Sequence, residues 1–185
     1  MDLDVQLFYL INHATHTRWL DTFMLLVSQM VLPLSIIFFL VLAALALRGK
    51  KDFREVVFLG LAFGLGLLVN SVLLKDAFAR PRPDQNLSGV IIVGQPNDDY
   101  SFPSGHSFTI ALLAVLVARK KDILMAFFIP FALLTGLSRI YLGVHYPSDV
   151  LVGLGLGFLY GLIINGVVDE FIEHPVFKIL KFHLE

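Results

Sequence analysis

The run FMLLVSQMVLPLSIIFFLVLAALAL, Phe23 to Leu47, holds no charged residue in 25 positions. A helix of about 20 residues crosses the roughly 30 Å apolar core of a bilayer. Four further apolar runs follow, Val56–Leu74, Ser107–Ala118, Ile123–Leu137 and Val150–Val168. The Ser107–Ala118 run is short and reaches across only if its helix begins near Ser104. A chain of 185 residues cannot bury five such helices in a water-soluble core. Its 16% charged residues and mean hydropathy of +0.79 agree, since soluble domains carry about 25% charged residues. In lipid, the backbone must satisfy its own polar groups, which selects helices. The expected fold is all-α: an integral membrane helical bundle, one domain over residues 1–185, with the lipid bilayer as partner.

Ahead of the first run, Leu3, Leu7, Leu10, Ile11 and Ala14 recur at helical spacing. They predict an N-terminal amphipathic helix in the membrane interface, followed by about five transmembrane helices. The segment lacks the basic start and small-residue cleavage site of a removable leader. The connections then sort by charge. Arg48–Glu55, Ala118–Asp122 and the C-terminal tail hold nine of the 14 Lys and Arg residues. Short basic connections stay cytoplasmic. The opposite ends of the spans therefore face outward, which is the periplasm or exterior for a bacterial inner (plasma) membrane. Arg18, Lys75, Arg80, Arg82 and Arg139 fall on that side, against the bias, so a separate reason for them is expected. A net charge of -1 provides no field for nucleic acid. With no cysteine, disulfides, thiolate metal sites and a cysteine nucleophile are excluded.

Three polar segments sit at outward ends of apolar runs: KDAFARPRP from Lys75, SFPSGH from Ser101, and SRIYLGVHYPSD from Ser138. Together they supply cations, two histidines, a carboxylate and a tight glycine turn. This set suits a phosphate. Arg offers planar bidentate donors and Lys a compact charge. Pro103 and Ser104 can open a helix whose first N–H groups bind an anion, and Gly105 permits close backbone approach. His145 and Asp149 lie four apart, with Pro147 as the expected start of the last helix. A carboxylate on one ring nitrogen leaves the other free to attack phosphorus. A second histidine, His106, can then move the leaving-group proton. The residues alone do not decide which histidine attacks, although the His145–Asp149 spacing favours His145.

These segments resemble the type-2 phosphatidic acid phosphatase superfamily, whose signature is K-x6-R-P, P-S-G-H and S-R-x5-H-x3-D. Here it reads Lys75 with Arg82-Pro83, Pro103-Ser104-Gly105-His106, and Ser138-Arg139 with His145 and Asp149. The resemblance implies a lipid phosphate phosphatase without metal or other cofactor. It implies that His145 is the nucleophile forming a phosphohistidine, Asp149 its orienting acid and His106 the general acid. Lys75, Arg82, Ser104, Gly105 and Arg139 would hold the phosphate of a membrane lipid. The substrates it suggests are bacterial envelope lipids: undecaprenyl diphosphate, phosphatidylglycerophosphate or lipid A 1-phosphate. The alternatives are a lipid phosphotransferase, and a non-catalytic headgroup-binding or transport protein. Transport would call for charge in mid-span, and no span carries it.

Other features read more plainly. Arg80 is expected at the surface or on headgroups, and His13 and His16 at the surface rather than on a metal. Asn70, inside a span, is expected to link helices. Pro33 and Ser35 mark a kink in the first span. Gly60 and Gly64, and Gly153, Gly157 and Gly161, are small-residue patterns for close packing within the chain or between protomers; nothing else calls for an oligomer. The loop from Asp84 to Tyr100 is expected to cover the site or select headgroups, with Asp98 and Asp99 repelling a second phosphate if close.

Overall fold

The computed structural model describes residues 2–49, 53–96, 98–118 and 122–173. Most of the basic residues that set the expected orientation lie outside that set: Lys50, Lys51, Arg119, Lys120, Lys121, Lys178 and Lys181. His174 and His183 do too.

The elements are α1 (Leu3–Asn12), α2 (Arg18–Gln29), α3 (Val31–Leu47) and α4 (Phe53–Leu68), then a π-helical turn (Val69–Leu74), α5 (Lys75–Phe78), α6 (Pro83–Asn86), α7 (Gly105–Ala118), α8 (Asp122–Tyr141) and α9 (Pro147–Glu173). Three helical stretches are long and apolar enough to cross a membrane: Arg18–Leu47, Phe53–Asn86 and Pro147–Glu170. Two shorter apolar helices, Gly105–Ala118 and Ala126–Tyr141, complete the five runs. Leu32, Leu40, Leu61, Leu151 and Ile163 stand on the outside of the bundle. Such an apolar exterior belongs in lipid.

The first run divides at Met30, where α2 passes into α3. Pro33 has no N–H to give the carbonyl one turn back, and its ring crowds that carbonyl. The break at Met30 lies three residues upstream of the proline.

The short α7 is the centre. Ser107, Phe108 and every residue from Ile110 to Leu116 are buried. Lipid gives helices no reason to associate through water exclusion, so close contact must hold them. The stripe of Gly153, Gly157 and Gly161 provides it. A Cβ at Gly153 would lie 2.6 Å from the Ser104 carbonyl oxygen, one at Gly157 would collide with that of Phe108, and one at Gly161 would lie 2.8 Å from Val115 Cβ. These three glycines serve packing within the chain. Gly60 and Gly64 have nothing within 4 Å of a Cβ. Leu42, Leu59, Phe63, Phe108, Leu112, Leu116, Ile164 and Val168 fill the core around the inner half of α7.

The helix α1 has two faces. Leu3, Leu7 and Leu10 point outward, as an interfacial helix requires. Asp4, Phe8 and Asn12, spaced by one turn, face the bundle. Phe8 is fully buried with Ile140, Tyr146 and Val150. Asn12 Nδ2 donates to the Ile91 and Tyr141 carbonyls, and its Oδ1 accepts from Ile91 N–H at 2.9 Å. Gly143, at φ +82°, lets the chain turn against Ile91, where any Cβ would meet the carbonyl. The loop after α6 is thereby pinned across the end of the bundle that holds the motif segments.

Candidate active site

Lys75, Arg82, Asp99, Gly105, His106, Arg139 and His145 line one cavity of about 460 Å³. The three motif segments thus meet, although 70 residues separate Lys75 from His145. Ser71 and Thr109, Val31, Leu32 and Ser35 of α3, and Phe63 and Leu67 of α4 line the same cavity, so its wall combines cations with apolar side chains.

Lys75 arrives through the π-helical turn, which rotates the end of the second span. Such turns often accompany functional sites. Asn70 lies in it, buried beside Gly105. Neither of its amide atoms has a hydrogen-bond partner among the described residues, so the expected interhelical link is not made. Ala79, at φ +44°, ends α5 and turns the chain toward Arg80 and Arg82.

Arg82 is 1% exposed and fully engaged. Its Nε donates to the Asp99 carbonyl at 2.8 Å, Nη1 to the Val144 carbonyl at 2.6 Å, and Nη2 to Asp99 Oδ1 at 2.5 Å. Lys75 Nζ pairs with Asp99 Oδ2. Partial burial works to raise the Asp99 pKa, but Lys75 and Arg82 outweigh it and hold the carboxyl down to about 2. Asp99 therefore pairs with both cations. Arg139 is also buried. Its Nη1 donates to Ser28 Oγ at 2.6 Å, while its Nε has no hydrogen-bond partner among the described residues. A buried donor without an acceptor is rare, and here it belongs to a cavity-lining cation.

Ser104 caps α7: its carbonyl accepts from Phe108 N–H at 3.0 Å and its hydroxyl from Ser107. Pro103 precedes the cap rather than opening the helix. Ser104 is fully buried and does not line the cavity, whereas Gly105 and His106 do.

His145 Nε2 lies 3.3 Å from Arg82 Nη1. Its Nδ1 lies 3.4 Å from Asp149 Oδ2, too long and bent for a formed hydrogen bond. Sites without ligand often show such slack. Burial, then Arg139 and Arg82, push the His145 pKa well below its usual range, so the ring is neutral. Pro147 starts α9 as expected, with Asp149 in its first turn. Asp149 Oδ2 accepts from Tyr146 N–H at 2.9 Å, and its carbonyl accepts from Ser104 N–H at 3.0 Å. The second bond ties two motif segments together.

Arg80 is half-buried and fully partnered rather than free at the surface. It donates to Asp149 Oδ1 at 2.6 Å, to Ser148 Oγ at 2.7 Å and to Asp4 Oδ2 at 2.7 Å, with its guanidinium 3.9 Å above the Tyr146 ring. Asp4 in turn accepts from Ser148 N–H at 2.8 Å. Asp4, Ser28 and Arg80 were missed because each acts through a distant partner. His13 and His16 serve the fold: His13 Nε2 meets the Gly89 carbonyl, and His16 sits between Asp21 and the Asn12 carbonyl.

The PAP2 superfamily pattern matches residues 55–173, which carry all three motif segments. The chain belongs to the PAP2 superfamily. Among relatives, phosphatidylglycerophosphatase B of Bacillus subtilis is 35% identical over 121 residues, 60% of this chain and 56% of that one. Undecaprenyl-diphosphatase BcrC of the same organism is 31% identical over 80% of this chain and 75% of that protein. A lipid A 1-phosphatase of Rhizobium etli is 37% identical over 62% of this chain and 48% of that one. The chain spans about half the length of several curated PAP2 relatives that it matches. The crystal structure of Aquifex aeolicus LpxE superposes with a TM-score of 0.73 at 31% identity, covering 89% of this chain and 95% of that one. That of a transmembrane PAP2-type phosphatidylglycerolphosphate phosphatase from Bacillus subtilis gives 0.75 at 28%, covering 93% and 87%.

Proposed function

We propose that this chain is a membrane lipid phosphate phosphatase. It hydrolyses a phosphomonoester or diphosphate of a bacterial envelope lipid through a phosphohistidine, without a metal. The observation that carries this reading is the cavity itself. Three cations and two histidines line it together with apolar side chains of α3 and α4. A lipid tail suits the apolar lining while its phosphate lies among Lys75, Arg82 and Arg139.

The steps follow from the positions. Neutral His145 attacks phosphorus through Nε2, and the bond from phosphorus to the lipid oxygen breaks. His106 gives its proton to the leaving oxygen. Asp149 stabilises the charge that develops at Nδ1–H and holds the tautomer. Water then gives a proton to His106 and attacks the phosphohistidine, which releases phosphate and restores His145. The cations and the Gly105 backbone stabilise the charge on the non-bridging oxygens, the larger electrostatic effect. Ser104 joins them only by turning its hydroxyl from Ser107.

The substrate class follows the relatives, which are named for phosphatidylglycerophosphate, undecaprenyl diphosphate and lipid A. The site faces outward from the bacterial plasma membrane, on the charge asymmetry of the connections. The test is phosphate release by the purified chain, in EDTA, from a panel of these lipids. Release from one or a few is expected. Transfer of phosphate to a second lipid in place of water would make the chain a phosphotransferase. Binding without either reaction would leave a headgroup-binding protein.

A further inference from the structure

The donors that a phosphate needs are already held by a carboxylate of the chain. Asp99 places one oxygen on Lys75 Nζ and the other on Arg82 Nη2. Both cations are buried, whereas the Asp99 side chain is 55% exposed. Stripping an acceptor from a buried cation is costly, so Lys75 and Arg82 gain from Asp99 whenever no phosphate is bound. A carboxylate and a phosphate make the same charge-assisted hydrogen bonds, and one N–H cannot serve both fully. Asp99 can leave at small cost because its outer face is already in water. It sits on the loop that enters the PSGH turn, five residues before Ser104.

We propose that Asp99 is an internal competitor for the substrate phosphate, displaced from Lys75 and Arg82 when the phosphate binds. This rests on the phosphatase reading of the same cavity. Its consequence is a binding threshold. A ligand must outbid the carboxylate, so the apparent affinity of every anion falls by the fraction of time that Asp99 is seated. Dianionic phosphomonoesters and diphosphates clear that threshold. The monoanionic phosphodiesters of bulk membrane lipid, which bind more weakly but are abundant, do not. Asp99 thus keeps the site from filling with the membrane around it.

Asp99→Asn separates competition from positioning. Arg82 Nε stays on the Asp99 carbonyl and Nη1 on the Val144 carbonyl, so the variant loses the charge and one of the two acceptor oxygens while these backbone contacts remain. The experiment is ligand-induced thermal stabilisation of the purified full chain in detergent, with inorganic phosphate and orthovanadate as probes. Phosphate release from the lipid panel is measured on the same preparations. Asp98→Asn, at an exposed neighbour, is the control. Both probes are expected to bind Asp99→Asn roughly tenfold tighter, the factor for a site occupied about nine-tenths of the time. Added phosphatidylglycerol should then inhibit the variant and spare the parent. Unchanged or weaker probe binding in Asp99→Asn, with lipid phosphate still released, overturns the competitor role and leaves the phosphatase reading intact. No probe binding and no release by any of the proteins overturns both.

Discussion

Arg80 Nη1 donates to Asp149 Oδ1 at 2.6 Å, so the buried carboxylate beside His145 is held by a cation as well as by the Tyr146 N–H. Arg80 touches no residue expected to meet phosphate. On the proposed mechanism it acts on the acid that orients the histidine. Arg80→Ala would leave Asp149 buried with one partner fewer, which favours its protonation and frees the ring. Turnover is expected to fall about 10- to 100-fold with KM little changed, the scale of loss when an outer partner of a metal-bound histidine is removed. Steady-state kinetics on a lipid phosphate measure it. An unchanged kcat would make Arg80 a brace for α1 and α9 and nothing more.

The same guanidinium reaches Asp4, which also accepts from the first turn of α9 through Ser148 N–H and Oγ. Asp4 is therefore a helix cap supplied from 144 residues away. Asp4→Ala should destabilise by about 1–2 kcal/mol, the usual cost of losing a capping side chain, and should lower kcat less than Arg80→Ala. Thermal unfolding and kinetics on the pair decide it. A loss of kcat in Asp4→Ala equal to that in Arg80→Ala would place the function of Arg80 in its bond to Asp4.

Arg80 and Asp4 also mark the limit of what the sequence reveals. Spacing placed His145 four residues from Asp149, and both fall at ends of apolar runs. Those are local readings, and the five helices with their three polar segments follow from them. The glycine stripe on α9 was legible as a packing face, although its partner was not. Partnership at a distance was hidden. Nothing near Arg80 names Asp4, and nothing near Arg139 names Ser28. Asp99 read only as a charge that repels a second phosphate, because its cations are far away in sequence. The one local hint was the Asp4, Phe8, Asn12 ridge on α1, which the apolar Leu3, Leu7, Leu10 stripe obscured.

The buried histidine should make the fold acid-sensitive. His145 is neutral in the folded chain, with its pKa well below the ordinary 6.5. The unfolded chain then binds the extra proton, so stability is full above about pH 6.5 and falls as pH drops below it. Asp99 has the same sign lower down. Its pKa is held at about 2 against 3.8, so its contribution is present above about pH 4 and lost as pH falls through about 2. Melting temperatures should fall from pH 7 to pH 5, and less steeply in His145→Asn. A parallel slope in the variant would mean that the ring takes up a proton without cost where it stands.

The glycines of α9 can be ranked by what a methyl group would meet. Gly155 has nothing within 4 Å, and Gly155→Ala should be neutral or stabilise by about 0.5–1 kcal/mol through the helix preference of Ala. At Gly157 the methyl group would run into the Phe108 backbone, which cannot swing aside as a side chain can. Gly157→Ala should cost about 1–3 kcal/mol as overpacking. Gly153→Ala is the informative case, because its methyl group would press on the Ser104 carbonyl and on Ser107 Cβ at 3.1 Å. That displaces the cap of α7, and with it Gly105 and His106. It should therefore lose activity beyond its loss of stability, whereas Gly157→Ala should keep kcat when assayed below its melting point. Equal kcat in the two would show that the start of α7 moves freely of α9, against the Ser104 N–H bond to the Asp149 carbonyl.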